Sequence, residues 1–312
     1  MLVTLEPGAD RNYVLGVLDR AVVEIDSPHP NNNVPYGGYV AWILGLARML
    51  RGHIADADLE GLIYTPGLDR LLAGVGAGTM KGQHVFNDEK DARRRVFTTA
   101  ANNLRDQIAR WSVHQHEVLS VVDTNVFLHH PGWHKDPSPQ RVLGSIPWAL
   151  DLKAGHADIK LVLPEVVVRE LDRHKESSNK VVRFRAQVTL AALARLLQDP
   201  FAPVVLREHG PQGAADDEPG GQVTLRVFYD DPAHRPVDDE DTEILQRALA
   251  LQSLASHDVV VFTTDVTMAL NARRFGMKTA IPERPIEDPD DAPPSNRQQR
   301  RERQEAAYRA NS

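Results

Sequence analysis

The stretch Val118–Leu128, VLSVVDTNVFL, decides the fold. It opens with the short apolar run Val118–Val122 and stops at Asp123. A run of this length and character reads as a buried strand. Asp123 then falls at the carboxyl end of that strand, where open α/β sheets bind their ligands. The same layout returns downstream in VVVFTTDVTMAL, residues 259–270, where Asp265 follows the apolar run Val259–Thr263. If the two strands pair in parallel, the two carboxylates become neighbours.

Between these runs the chain alternates apolar strands with helical patterns, the signature of a parallel α/β sheet. Ile159–Leu163 is the second run, and Pro164 stands where proline favours the first turn of a helix. That helix carries Val166, Val167, Glu170 and Leu171 on one side. A longer helix is predicted from about Asn179 to Gln198. Pro203–Arg207 and Gln222–Phe228 flank a loop rich in Gly and acid and read as a surface hairpin. Helices from about Asp239 to Leu254 and over Val266–Phe275 follow, and Lys278–Ile281 makes a last short strand.

Upstream, residues 1–116 read as mostly helical. Asp10 is placed to cap a first helix, and Tyr39–Leu50 is strongly apolar. The Gly-rich stretch Gly74–Gly78 breaks the pattern before a helix from about Asp88 to Trp111. From Pro285 on, the chain is poor in hydrophobics and ends among Arg297, Arg300, Arg301, Arg303 and Arg309. Three parts are expected: a mainly helical N-terminal domain at 1–116, an α/β domain at 117–284, and a polar, disordered tail at 285–312.

The 312 residues are 42% hydrophobic and 25% charged, ordinary for a folded globular chain. The absence of cysteine excludes a disulfide scaffold, a thiol nucleophile, a zinc ribbon and an iron–sulfur centre. A net charge of −7 argues against a basic coat for nucleic acid. The N-terminus lacks a signal-peptide pattern, and no stretch approaches the roughly 18 apolar residues of a membrane span. A cytoplasmic location without membrane contact is expected.

Two more acids stand out by position. Glu170 shares a helix face with Val166 and Val167, so it points along the buried side, whereas Asp172 points away with Val168 and Glu176. A carboxylate on an apolar face is costly unless it is paired or binds metal. In DDEDTEILQRAL, Asp241 lies three and four residues before Ile244 and Leu245, on the inward side of the first turn. Asp238, Asp239 and Glu240 are less well placed. Singly, each acid has a bland reading, as a helix cap or a solvated helix start favoured by the dipole. The order of all four is much more specific.

That order, carried by DTNVFL, LPEVVVREL, DTEILQRALAL and VVVFTTDVTMALNARRFGMK, resembles the PIN-domain family of metal-dependent ribonucleases over about Val118 to Ile281. The resemblance implies a PIN-like parallel sheet flanked by helices. It also implies that Asp123, Glu170, Asp241 and Asp265 gather at one end of the sheet to hold Mg²⁺ or Mn²⁺ and act in catalysis. Asn125 would orient the first Asp, and Thr263 or Thr264 would do the same beside Asp265. The long stretch Pro131–Ala157 and the hairpin around Arg207–Phe228 depart from small members of the family, and residues 1–116 match nothing in it.

The chemistry agrees. Four convergent carboxylates repel one another, and oxygen ligands without thiols favour a hard ion. Such a site suits hydrolysis of a phosphodiester to a 5′-phosphate and a 3′-hydroxyl. Just after Glu170 the chain supplies Arg173, Lys175, Lys180, Arg183 and Arg185, candidates to grip RNA phosphates. Their bland reading is a solvated helix face. His114, His116, His129, His130 and His134 read as satisfied surface or linker groups, and the tryptophans as packing, with Trp133 the exception in a loop after Asp123. The leading reading is a metal-dependent endoribonuclease. The expected partners are RNA, a second copy of the chain, and a protein taken by the N-terminal helices. The alternative is a non-catalytic PIN-like module for RNA binding or protein interaction. A haloacid-dehalogenase-type phosphatase needs a second Asp where this chain has Asn125.

Overall fold

The computed structural model describes residues 3–27, 36–74, 79–130, 143, 146–208, 221–230 and 234–282. Trp133, His134 and the tail beyond 282 lie outside these. Five helices come first. Asp10 caps α1 (Arg11–Glu24), accepting from the N–H groups of Asn12 and Tyr13. Then follow α2 (Gly37–Leu50), α3 (Asp56–Leu62), α4 (Pro66–Leu72) and α5 (Met80–Trp111). Helix α5 begins well before the expected Asp88, because Thr79 caps it by accepting from Gly82 N–H. Its 32 residues span about 48 Å. Against α5 the other helices bury Val14, Leu18, Ile43, Leu46 and Leu62 around Phe97 and Leu104. Within this core Arg93 pairs with Glu89 at 2.7 Å and also reaches the Leu62 carbonyl and the Thr65 hydroxyl.

The second half is one six-stranded sheet: β1 (Glu117–Val122), β2 (Asp158–Pro164), β3 (Val204–Arg207), β4 (Val223–Phe228), β5 (Val259–Phe262) and β6 (Lys278–Ala280). The order is β3-β4-β2-β1-β5-β6, parallel throughout except for the antiparallel hairpin β3–β4. Val121 opposes Val162 on one side and Val261 on the other. Strand β1 is therefore central, and its last four residues are buried, Ser120 among them with its hydroxyl donating to the Val260 carbonyl at 3.0 Å. Helices α6 (Thr124–His129), α7 (Trp148–Asp151), α8 (Glu165–His174), α9 (Lys180–Leu196), α10 (Glu240–Ala255) and α11 (Val266–Arg274) flank the sheet. Pro164 ends β2 and α8 starts at Glu165, so the proline sits one position before the first helical turn expected for it.

From β1 the chain crosses to β2 on one side and later, through α10, to β5 on the other. This reversal opens a crevice at the carboxyl ends of the central strands. The helical region locks onto the sheet region through Arg11 Nη1 to the Leu254 carbonyl at 2.6 Å and Gly8 N to Ser253 Oγ at 2.9 Å. Trp111 meets Phe228 edge-on. Trp111 and Trp148 are buried packing residues, as expected. His130 is also buried, bonded to Asp151 at 2.9 Å, which corrects its reading as a surface group; a partner inside the fold makes its burial affordable. Among the described residues no helix is long and apolar enough to cross a membrane.

Candidate metal centre

Asp123 ends β1, and its backbone N–H continues the ladder to the Phe262 carbonyl at 3.0 Å. The side chain is 1% exposed. Oδ2 accepts from the Thr263 hydroxyl at 2.6 Å, while Oδ1 is buried with no hydrogen-bond partner among the described residues. Burial pushes its pKa up to about 7, and the negative charges of Glu170 and Asp241 add to the rise. The Thr263 hydroxyl opposes it, as does the Asn125 N–H, which falls short of hydrogen-bonding geometry.

Thr263 also fixes the second strand end. Its Oγ1 accepts from the Asp265 N–H at 2.9 Å. Asp265 caps α11, accepting from Thr267 N–H at 2.6 Å and Met268 N–H at 3.3 Å through Oδ1. The bland cap reading and the site position thus coexist in one residue. Thr264 is half-buried beside them.

Helix α8 turns Glu170 inward and Asp172 outward, with side chains 17% and 64% exposed. Glu170 Oε2 accepts from the Thr124 hydroxyl, and Oε1 lies 3.6 Å from His174 Nε2. Asp241 occupies the first turn of α10, behind the cap Asp239, which accepts from Thr242 N–H at 3.0 Å. Its pKa is raised by burial and then by the charges of Asp239, Asp265 and Glu170. Asp123 thus lies in the field of Glu170 and Asp241, and Asp241 in that of Glu170 and Asp265. Each arrives from a different element.

The basic run follows α8 around the same end of the fold. Arg173 pairs with Glu240, Lys175 with Asp172 at 2.5 Å, and Arg183 donates to the Ser177 carbonyl at 3.1 Å. Arg185 donates to the Leu128 carbonyl, and Lys180 is exposed at the start of α9.

Residues 120–282 match the family model of the PIN domain, more than half of the 312 residues. The chain belongs to the PIN-domain family. The family consists mostly of metal-dependent nucleases, and PIN domains typically bind divalent metals. One similar solved structure is a domain of a functionally unknown protein from Methanocaldococcus jannaschii DSM 2661. It is 15% identical, with 55% of this chain and 95% of that chain covered and a TM-score of 0.31. No curated protein matches the chain.

The donor set of this PIN domain suits a hard divalent ion. It is all oxygen, and the unpartnered Asp123 Oδ1 is a buried acceptor facing a concentration of negative charge. Sequence reasoning missed Thr124 and His174. The second was findable, four residues after Glu170 on the same helix face. It also missed a partly buried network in which Asp230, His234 and Glu243 bring ligand-type atoms within 4.8 Å of one another. Arg247 already sits there, 3.3 Å from Asp230 and 3.4 Å from Glu243, and supplies the positive charge itself.

Proposed function

We propose that the chain is a divalent-metal-dependent endoribonuclease that hydrolyses RNA phosphodiester bonds. The observation that supports this best is the buried Asp123 carboxylate, whose Oδ1 has no partner among the described residues and which lies in the field of Glu170 and Asp241. Asp123, Glu170, Asp241 and Asp265 would hold Mg²⁺ or Mn²⁺, which suit oxygen-only ligands. The bound ion would supply Lewis acidity, activating water and stabilising charge on the leaving oxygen.

The chain's own residues prepare that place. One hydroxyl, that of Thr263, orients Asp123 and receives the Asp265 N–H, so the two strand ends keep a fixed spacing. The Thr124 hydroxyl holds Glu170 from the neighbouring turn. A polyanion must still be drawn to an acidic centre, and cations after Glu170 can offset that repulsion.

The test is a cleavage assay on RNA and DNA substrates with Mn²⁺, Mg²⁺ or EDTA, beside Asp123→Asn. Metal-dependent RNA cutting that is lost in the variant is expected. RNA binding without cleavage under any metal would leave the non-catalytic module as the better reading.

A further inference from the structure

A second polar place lies on the sheet away from the four acids. The β2–β4 register sets Lys160 beside Thr224 and Val162 beside Arg226, so Lys160, Thr224 and Arg226 emerge on one face. The end of α5 closes over this face. Arg110, Lys160, Gln222, Thr224 and Arg226 line a cavity of about 210 Å³ there. Lys160 and Thr224 stand near the starts of their strands, whereas Asp123 and Asp265 follow strand ends. We propose that this cavity binds an oxyanion of the phosphate class, held between the guanidinium groups of Arg110 and Arg226.

Part of this charge has a structural use. Arg226 Nη1 donates to the Arg110 carbonyl at 2.7 Å, and Lys160 Nζ donates to the Ser112 carbonyl at 3.0 Å. Both close the carbonyl end of α5, where cations are favoured. That role uses one of the five N–H donors of Arg226. It does not use the Arg110 side chain at all, which lies 4.7 Å from the Phe201 ring centroid. Two described acids pair with residues of this lining: Glu117 holds Lys160 at 2.6 Å, and Glu208 accepts from Gln222 Nε2 at 3.0 Å. Among the described residues no ion pair joins Arg110 or Arg226 to a carboxylate.

Both arginines therefore line one partly dry cavity. Burial lowers the Arg226 pKa, and the Arg110 charge lowers it further. An anion in the cavity offsets that repulsion. The planar fork of arginine matches the oxygens of a phosphate in paired hydrogen bonds. The cavity has room for one phosphate group, whether free or borne by a polynucleotide.

The test uses the full chain in EDTA, so that metal at the carboxylates plays no part. Inorganic phosphate is titrated against chloride at matched ionic strength by thermal unfolding and calorimetry, and a short single-stranded RNA by equilibrium binding. Arg226→Gln will also loosen the end of α5. Arg110→Gln is the cleaner variant, because its guanidinium holds no backbone. Loss of one charge-assisted contact should weaken phosphate binding about tenfold in Arg110→Gln. If phosphate alone does not bind but RNA binding weakens by that factor, the oxyanion comes from a polynucleotide and the site stands. If phosphate and RNA bind the variant as they bind wild type, or neither binds wild type, the proposal is overturned.

Discussion

Replacing Asp123 by Asn separates the cost of the carboxylate from its use. Asp123 is 1% exposed and its pKa stands at about 7 instead of 3.8. An acid whose folded pKa is raised binds more protons folded than unfolded, so metal-free stability falls as pH rises from about 4 to about 7. Above that window the ionised group withholds about 4 kcal/mol. Asn carries no charge, but its amide N–H groups need acceptors, and one left unmet costs about 1–3 kcal/mol. In EDTA at pH 8 the variant should therefore be more stable than wild type by about 1–3 kcal/mol. At pH 4 that advantage should vanish. Urea unfolding at the two pH values measures this directly. With Mn²⁺ at a hundredfold excess over its Kd, wild type should gain about 2.7 kcal/mol and the variant little of it. A variant that is less stable than wild type at pH 8 in EDTA, yet gains equally from Mn²⁺, would refute both the buried charge and its role as a ligand.

Three further outcomes are expected. Glu170→Gln should abolish cleavage while the melting temperature changes little, since the amide oxygen can still accept from Thr124; Asp172→Asn, 64% exposed, should stay within a few-fold of wild-type activity. Lys180→Ala combined with Arg183→Ala should weaken RNA binding and lower the log–log salt slope by roughly one per phosphate contact removed, with the metal-induced thermal shift intact. Gly221→Ala should destabilise by about 2 kcal/mol in urea, because a Cβ there meets the Ala157 carbonyl, which is backbone and cannot turn aside; unchanged stability would show that the base of the β3–β4 hairpin yields.

The sheet was legible because β1 and β5 are short and mostly buried, so each reads as an apolar run that stops at an acid. The inward turn of Glu170 was legible from helical spacing; Asp10 caps its helix as its position predicts, and Asn179 and Asp239, expected as helix starts, prove to be caps. Helices α3 and α4 were not, since each has only 7 residues and too little length to show a period. The start of α5 was hidden because Lys81, Gln83, His84 and Asn87 make its first turns polar. Contacts made in space were hidden for another reason. Thr124 reaches Glu170 across 46 positions, and Thr263 reaches Asp123 across 140. No local pattern encodes which of two adjacent hydroxyls, Thr263 or Thr264, takes the bond.

The same limit applies to charge. Counted along the chain, Arg173 to Arg185 is a block of cations next to Glu170. In the fold, part of that charge is already spoken for. Arg173 faces Glu240 and ties α8 to α10, the helices that carry Glu170 and Asp241; Lys175 faces Asp172. Arg183 donates to a backbone carbonyl, which is neutral, so its charge stays available to a polyanion, while Arg185 holds the Leu128 carbonyl. Exposed pairs such as Lys175–Asp172 contribute about 0–1 kcal/mol, so a phosphate can compete for the lysine. Arg173 differs, because its pair with Glu240 joins the two helices that carry Glu170 and Asp241. RNA affinity should therefore depend first on Lys180 and Arg183, and Arg173→Ala should disturb metal binding as well as RNA binding. Lys180→Ala should disturb RNA binding alone.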